Sequence, residues 1–313
     1  MTPGENPDDT PHDRAIVALR AFNRFHTRLA GLLDASYMDS GLSLVEARAL
    51  YEMMMRAPVL AADVQGALGL DPGYLSRIVA RFERRGWIVR DRGRDGRQRP
   101  ISMTQDGRNA FHALDARTRA DVAASIAHLD AGGLQTLEQA LDTVRALLGD
   151  RDLAPWQLRT LQPGDLSLIA ARQIALYARE YDWHGTFENV AMDIVSAFAR
   201  DRVPGREEGW VADRTGRVLG AVLLADAGHD NMAKLRLLHV EAEARGQGIG
   251  RALVDRALGF ARDAGYAGVT LWTHAVLVPA RHIYQQAGFA LVESWQHDDF
   301  GPRETAEIWS LRF

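Results

Sequence analysis

The chain has 313 residues, 47% of them hydrophobic, no cysteine, and a formal net charge of −4. That length points to about two domains, each with enough apolar residues for a core. The composition excludes disulfides, thiolate metal sites and a cysteine nucleophile, and the charge excludes a uniformly basic nucleic-acid binder.

Residues 1–12 are polar and acidic, which is unlike a secretory signal and reads as a disordered tail. No stretch approaches the roughly 18 apolar residues of a membrane helix, so a cytoplasmic protein is expected. From Asp13 to Leu33, Ile16, Leu19, Phe22, Phe25, Leu29 and Leu32 recur at helical spacing. Ser43-Leu44-Val45-Glu46 is a capping box that opens a second helix, which Pro58 breaks. A short helix over Leu60 to Leu68 turns at Gly69-Leu70-Asp71. Asp71-Pro72 then forms the N-cap and N1 pair of a helix running to Arg85. Leu75, Ile78, Val79 and Phe82 share one face of it, while Gly73, Tyr74, Ser76, Arg77 and Arg81 project from the other sides. A strand over Trp87 to Arg90, a charged loop over 91–98 and a return strand over Pro100 to Thr104 follow. Nine arginines stand against Glu83, Asp91 and Asp95 between Arg77 and Arg99. A helix of this kind can lay its polar face in a major groove. Arg94, Arg97 and Arg99 on the hairpin could then meet phosphates or a narrow minor groove; the same arginines also suit a plain solvated surface. Helices over Gln105 to Leu129 and Leu134 to Leu148 complete this half, and 149–155 reads as a linker.

Two stretches, Phe82-Glu83-Arg84-Arg85-Gly86-Trp87-Ile88 and Asp95-Gly96-Arg97-Gln98-Arg99 with the strand ending at Thr104, resemble the recognition-helix end and the wing of the MarR family of bacterial regulators. The resemblance covers 13–148. It implies a mainly α winged helix-turn-helix domain that binds duplex DNA at a pseudo-palindromic site. It also implies a homodimer whose first and last helices form the dimer core.

In the second half, Leu235 to Val240 is an apolar run with the look of a buried strand. It leads into Arg245-Gly246-Gln247-Gly248-Ile249-Gly250 and then a helix from Arg251. A glycine turn at a helix start leaves backbone N–H groups free to hold phosphate. The spacing is neither the dinucleotide fingerprint nor a P-loop, since no Lys follows the glycines. A β-rich run over Gly268 to Thr273 and a helix over Pro279 to Phe289 come next.

The order strand, Arg-x-x-Gly-x-Gly, helix, strand, then Ala280, Tyr284, Gly288 and Phe289 at their spacing resembles the GNAT N-acetyltransferases over 156–313. Leu277 stands where that family usually has Asn. The resemblance implies an α/β fold with a mixed sheet and acetyl-CoA as acetyl donor. Arg245, Gly246, Gln247, Gly248, Ile249, Gly250 and Arg251 would hold the pyrophosphate. Leu238, His239 and Val240 would meet the pantetheine arm and thioester, with Ala280 and Tyr284 completing the cofactor site. Tyr284 is implied as proton donor to the leaving thiolate, or else is a core tyrosine. Glu241 and His239 are the candidate bases, with His274 beyond them. Tyr177, Glu180, Tyr181, Trp183, His184 and Phe187 form an acidic, aromatic cluster that serves either an acceptor pocket for an amine cation or the core. No metal is implied. The combined reading is a regulator fused to an enzyme that acetylates a small amine; the alternatives are a transcription factor with a GNAT ligand sensor, or a protein acetyltransferase.

Overall fold

The computed structural model describes residues 10–30, 37–90, 99–150 and 152–313. Contacts divide the chain into two compact units, Met1–Leu129 and Asp130–Phe313. Among the described residues, no helix is long and apolar enough to cross a membrane.

In the first unit, helix α1 spans Pro11–Leu29 and begins two residues inside the expected tail. Thr10 and Asp13 cap each other's backbone there, satisfying otherwise orphaned donors. None of the side chains of α1 is buried, and Phe22, Phe25 and Leu29 are exposed. Helix α2 (Leu44–Arg56) opens on the Ser43–Glu46 capping box. Helix α3 (Ala61–Leu68) closes on Gly69 at φ 62°, a left-handed stop suited to glycine. The Asp71 side chain accepts from the Tyr74 amide at 3.0 Å and starts α4 (Pro72–Arg84). Strands β1 (Ile88–Arg90) and β2 (Ile101–Met103) pair antiparallel. The core of Leu50, Met53, Val64, Ile78, Phe82, Ile88 and Ile101 lies under α4 and the hairpin. Helix α5 (Gln105–Ile126) approaches so closely that a Cβ on Gly107 would stand 2.0 Å from the Trp87 carbonyl oxygen.

The last helix of the expected first domain, α6 (Ala131–Leu147), falls in the second unit instead. Its Gln139 donates to the Gly216 carbonyl at 2.8 Å, and its buried Asp142 lies 3.8 Å from Arg214 and 3.7 Å from Arg217. The division therefore falls at 129/130 and not at the 149–155 segment.

The remaining elements are β3 (Gln157–Thr160), α7 (Asp165–Tyr181), α8 (Thr186–Asp201), β4 (Glu208–Arg214), β5 (Arg217–Asp226), β6 (Met232–Val240), α9 (Ile249–Asp263), β7 (Gly268–His274), α10 (Val278–Gln286), β8 (Ala290–His297) and β9 (Glu304–Arg312). The strands form one mixed sheet in the order β3-β4-β5-β6-β7-β9-β8. Alternation along the strands sends Trp210, Leu224, Leu235 and Leu271 toward α9, and Val211, Leu223 and Leu237 toward α7 and α8. Only β6 and β7 run parallel, and they pair only over Met232–Leu235 and Gly268–Leu271. Beyond that point β6 also bulges against β5, with Leu237 at φ 51°. The sheet thus opens between two strand ends, and two adjoining cavities lie at that opening.

Candidate functional site

A groove of about 390 Å³ runs along the loop between β6 and α9. Ten of the residues expected at a cofactor site line it: Leu238, His239, Val240, Arg245, Gly246, Gly248, Ile249, Gly250, Arg251 and Ala280. Gly246 and Gly248 have φ values of 78° and 79°, which side chains rarely adopt. A Cβ on either would stand in open space. Gly250 is helical, and its Cβ would meet Ile283 Cδ1 at 2.8 Å, so its small size seats α9 against α10. Among the described residues, no amide from Gly246 to Arg251 donates a bond to a backbone group outside the helices and strands. The loop therefore presents a row of N–H groups at a helix start, where the dipole favours an anion.

Gln247 does not line this groove. Its side chain is held by Arg214 at 2.6 Å and reaches the Glu243 carbonyl at 3.4 Å. Glu180, expected in an acceptor pocket, instead accepts from Arg245 at 2.7 and 2.9 Å and lines neither this groove nor the cavity beyond it. It fixes a loop arginine in place of facing an acceptor.

A second cavity, about 70 Å³, lies on the other side of the β6 end. Tyr177, Leu238, Leu277 and Ala280 line both spaces. Tyr177, Trp183, Phe187 and Phe300 form a nest of rings with centroids 5.1–5.3 Å apart along its contacts. The expected pocket aromatics are thus at once cavity wall and core. The Tyr177 hydroxyl points at the Leu238 carbonyl oxygen, 3.5 Å away. Tyr284 lines this cavity rather than the groove and is only 4% exposed. Burial, reinforced by Tyr177, pushes its hydroxyl above the ordinary range, so it stays protonated at neutral pH.

Among the candidate bases, His239 is buried, lines the groove and leaves Nε2 without a partner. Burial lowers its pKa to about 4, so the imidazole is neutral at pH 7. Glu241 lines neither cavity; burial raises its carboxyl despite Arg172 at 3.4 Å. His274 lines the second cavity and meets His297 at 2.8 Å, with His297 in turn 3.1 Å from Asp299. Burial and then His297 lower the His274 pKa to about 4. The motifs assign no site role to His297, Phe300, Trp272, Gln173, Lys234 or Arg236, which the structure places in or beside this cavity. The last two had a visible signal, two cations inside an otherwise apolar strand.

In the first unit, Gly73, Ser76 and Arg77 are exposed on α4, and Tyr74 is half-buried beneath the Arg77 guanidinium, 5.6 Å from the ring centroid. Arg81 departs from its expected free position. It pairs with the buried Glu46 and donates to the Gly41 carbonyl at 3.0 Å, tying α4 to the start of α2. Arg99 is exposed, and Arg94 and Arg97 lie outside the described residues.

Residues 40–98 match the model of the MarR family, and residues 173–289 match the acetyltransferase (GNAT) family. The chain thus carries a MarR-family domain followed by a GNAT-family acetyltransferase domain. N-acetylaspartate synthetase of Xenopus tropicalis is 36% identical over 88 residues, 28% of this chain and 32% of the relative. N-acetyltransferase 8B of Homo sapiens is 43% identical over 84 residues, 26% of this chain and 37% of the relative. The chain thus spans about a third of the length of these curated relatives. The solved N-acetyltransferase from Staphylococcus aureus Mu50 aligns over 51% of this chain and 99% of its own, at 17% identity and a TM-score of 0.43.

Proposed function

We propose that the chain is a bifunctional regulator and acetyl-CoA-dependent N-acetyltransferase. The second unit would move an acetyl group to the amine of a small molecule, and the first would bind a pseudo-palindromic duplex site as a homodimer. The observation that carries the enzymatic half is the pair of spaces sharing the Leu238 end of β6, one walled by phosphate-binding backbone and one by side chains. The groove fits acetyl-CoA: the two left-handed glycines leave its floor clear, and the unpartnered amides at the start of α9 suit a pyrophosphate. When bound, acetyl-CoA supplies the thioester acyl group. Arg245, paired with Glu180, and Arg251, paired with Asp255 at 2.8 Å, place guanidinium N–H groups beside the loop. Tyr284, protonated at neutral pH, is the group to hand a proton to a departing thiolate, and burial makes it a weaker acid than an ordinary tyrosine, so the transfer depends on its position rather than on its pKa. His239, neutral at pH 7 and with Nε2 free, is the better placed of the two candidate bases, since Glu241 faces neither cavity.

For the first unit, the exposed Arg77 on α4 and Arg99 beside β2 supply the cations that DNA contact needs. The unburied apolar residues of α1 support a homodimer that covers them.

Three measurements test the reading. Titration calorimetry should detect saturable acetyl-CoA binding, and thiol release should depend on an added amine. Loss of binding to duplex DNA at low salt would remove the regulator half. Leu277, at the position where the family usually has Asn, favours a second reading in which the GNAT domain senses ligands without turnover. Acetyl-CoA binding with no thiol release for any amine is the outcome that selects it.

A further inference from the structure

Lys234 is the only lysine in the chain. It and Arg236 lie two residues apart on β6, so both side chains leave the same face of the sheet. Leu235 between them packs toward α9, which puts the two cations on the α7/α8 side. Both line the second cavity. Both are half-buried, and among the described residues no carboxylate comes within ion-pair distance of either. Arg236 also borders a cavity of about 450 Å³ lined by Asp193, Asp201, Glu207 and Asp226, yet none of these pairs with it: Asp201 is taken by Arg200 and Asp226 by Arg206, and Glu207 accepts from the Val203 and Asp226 amides. Every other arginine on the strands of this sheet that is buried to a similar degree, such as Arg159, Arg214 and Arg217, has a carboxylate partner. Burial, with the neighbouring guanidinium, holds Lys234 below its ordinary pKa, and burial alone does the same to Arg236. Desolvated cations without counter-ions are unfavourable unless a ligand supplies the charge.

The same wall is short of acceptors. Trp183 and Trp272 line it, and neither indole N–H has an acceptor. The one unpartnered acceptor is Gln173 Oε1, on α7 beside Tyr177, near the shared Leu238 end. A cavity with two cations and two spare N–H donors, and one spare acceptor toward the thioester end, has the polarity of a zwitterion.

We propose that the acetyl acceptor is a small amino acid, an amine that also carries a carboxylate, and that Lys234 and Arg236 bind this carboxylate and set specificity. The inference rests on reading this domain as a small-amine acetyltransferase and replaces the amine-cation rim expected around Glu180. Gln173 would orient the amine, and the small cavity volume limits the size of what enters.

The test measures thiol release by the full chain with acetyl-CoA and L-aspartate, L-glutamate or L-methionine, each beside its α-amide, and with putrescine. The acids should exceed their amides by about tenfold or more in kcat/KM, the scale of a lost charged hydrogen bond. Lys234→Met and Arg236→Met should raise KM for the acids about tenfold while sparing turnover of the amides and acetyl-CoA affinity. Lys234→Arg should retain the preference for acids, which separates charge from packing. Amides used as well as acids, or putrescine preferred, would overturn the proposal, as would acetylation of Lys234 itself in the protein's mass. If no amine at all is turned over, the enzymatic reading fails, and calorimetry with the same acids in the presence of CoA decides this site alone. Saturable binding lost in both Met variants then upholds it, and no binding overturns it.

Discussion

The groove along the β6–α9 loop and the cavity on the other side of the β6 end share four residues, yet they are built on opposite terms. One side of the groove is a continuous loop, the seven-residue run from Arg245 to Arg251, whose working atoms are backbone amides, and the rest of its wall comes from α7, the end of β6 and α10. The cavity draws on α7, α8, β6, β7, α10 and Phe300, and its working atoms are side chains. A ligand held by backbone demands glycines at fixed spacing because their φ values demand them. A ligand held by side chains demands only that distant positions converge, which the fold arranges. The groove therefore fits a donor common to many enzymes, and the cavity carries whatever is particular to this one.

The largest expected effect tests that separation at its boundary. Tyr284 faces the cavity and not the groove, so Tyr284→Phe should lower kcat roughly 10²- to 10⁴-fold and leave acetyl-CoA affinity unchanged by calorimetry. A variant with full kcat would return the tyrosine to a packing role beside Phe289. Next comes acid stability. The His239 pKa falls from 6.5 to about 4 on folding, so the folded state binds fewer protons than the unfolded chain. Its contribution is therefore complete above pH 6.5 and is lost as the pH drops toward 4, on the order of 3 kcal/mol in all. Urea unfolding at pH 7.5, 6 and 5 should show a shallower decline for His239→Gln than for wild type; parallel declines would place the loss in other groups.

Much of the groove's lining is legible in the sequence because Arg245 to Gly250 and Ala280 obey local spacing, whereas Gln247 and Tyr284, which obey the same spacing, lie outside it. Helix starts at Ser43 and Asp71 were equally legible, since each cap is settled within three residues. The rest depended on contacts that no local pattern encodes. Asp142 assigns α6 to the second unit through arginines over seventy residues away, and the His274–His297 contact spans 23 residues. Glu180 read as pocket chemistry because its neighbours are aromatic, whereas its partner Arg245 lies 65 residues on. Lys234 and Arg236 gained meaning only once the strand's alternation had a direction.

The first unit offers a parallel contrast between free and engaged arginines. Arg77 is exposed on α4, while Arg81, one turn on, is tied to Glu46 and Gly41. Arg77→Ala should cost about 1–3 kcal/mol on a preferred duplex and relax sequence preference. Arg81→Ala should instead lower the unfolding temperature, since it strips a buried carboxylate of its partner. Duplex binding at several salt concentrations beside thermal melts separates the two; equal effects on binding at unchanged stability would cancel the distinction.

The smallest effects distinguish two kinds of glycine within the groove itself. At Gly248 a Cβ meets nothing, but the φ of 79° is unfavourable for any other residue, and the methyl would stand on the open side of the loop where phosphate is expected. Gly248→Ala should therefore weaken acetyl-CoA about tenfold, near 1.4 kcal/mol, with a modest fall in melting temperature. Gly250 has helical φ, and its added methyl presses on Ile283 Cδ1, the flexible end of a side chain. Relief of glycine's helix penalty, about 1 kcal/mol, works against that contact. Gly250→Ala should then change stability by less than about 1 kcal/mol and reduce affinity less than Gly248→Ala does. If the order of the two affinities is reversed, the anion sits deeper on α9 than the left-handed glycines imply, and the helix's first turn rather than the loop is its main support.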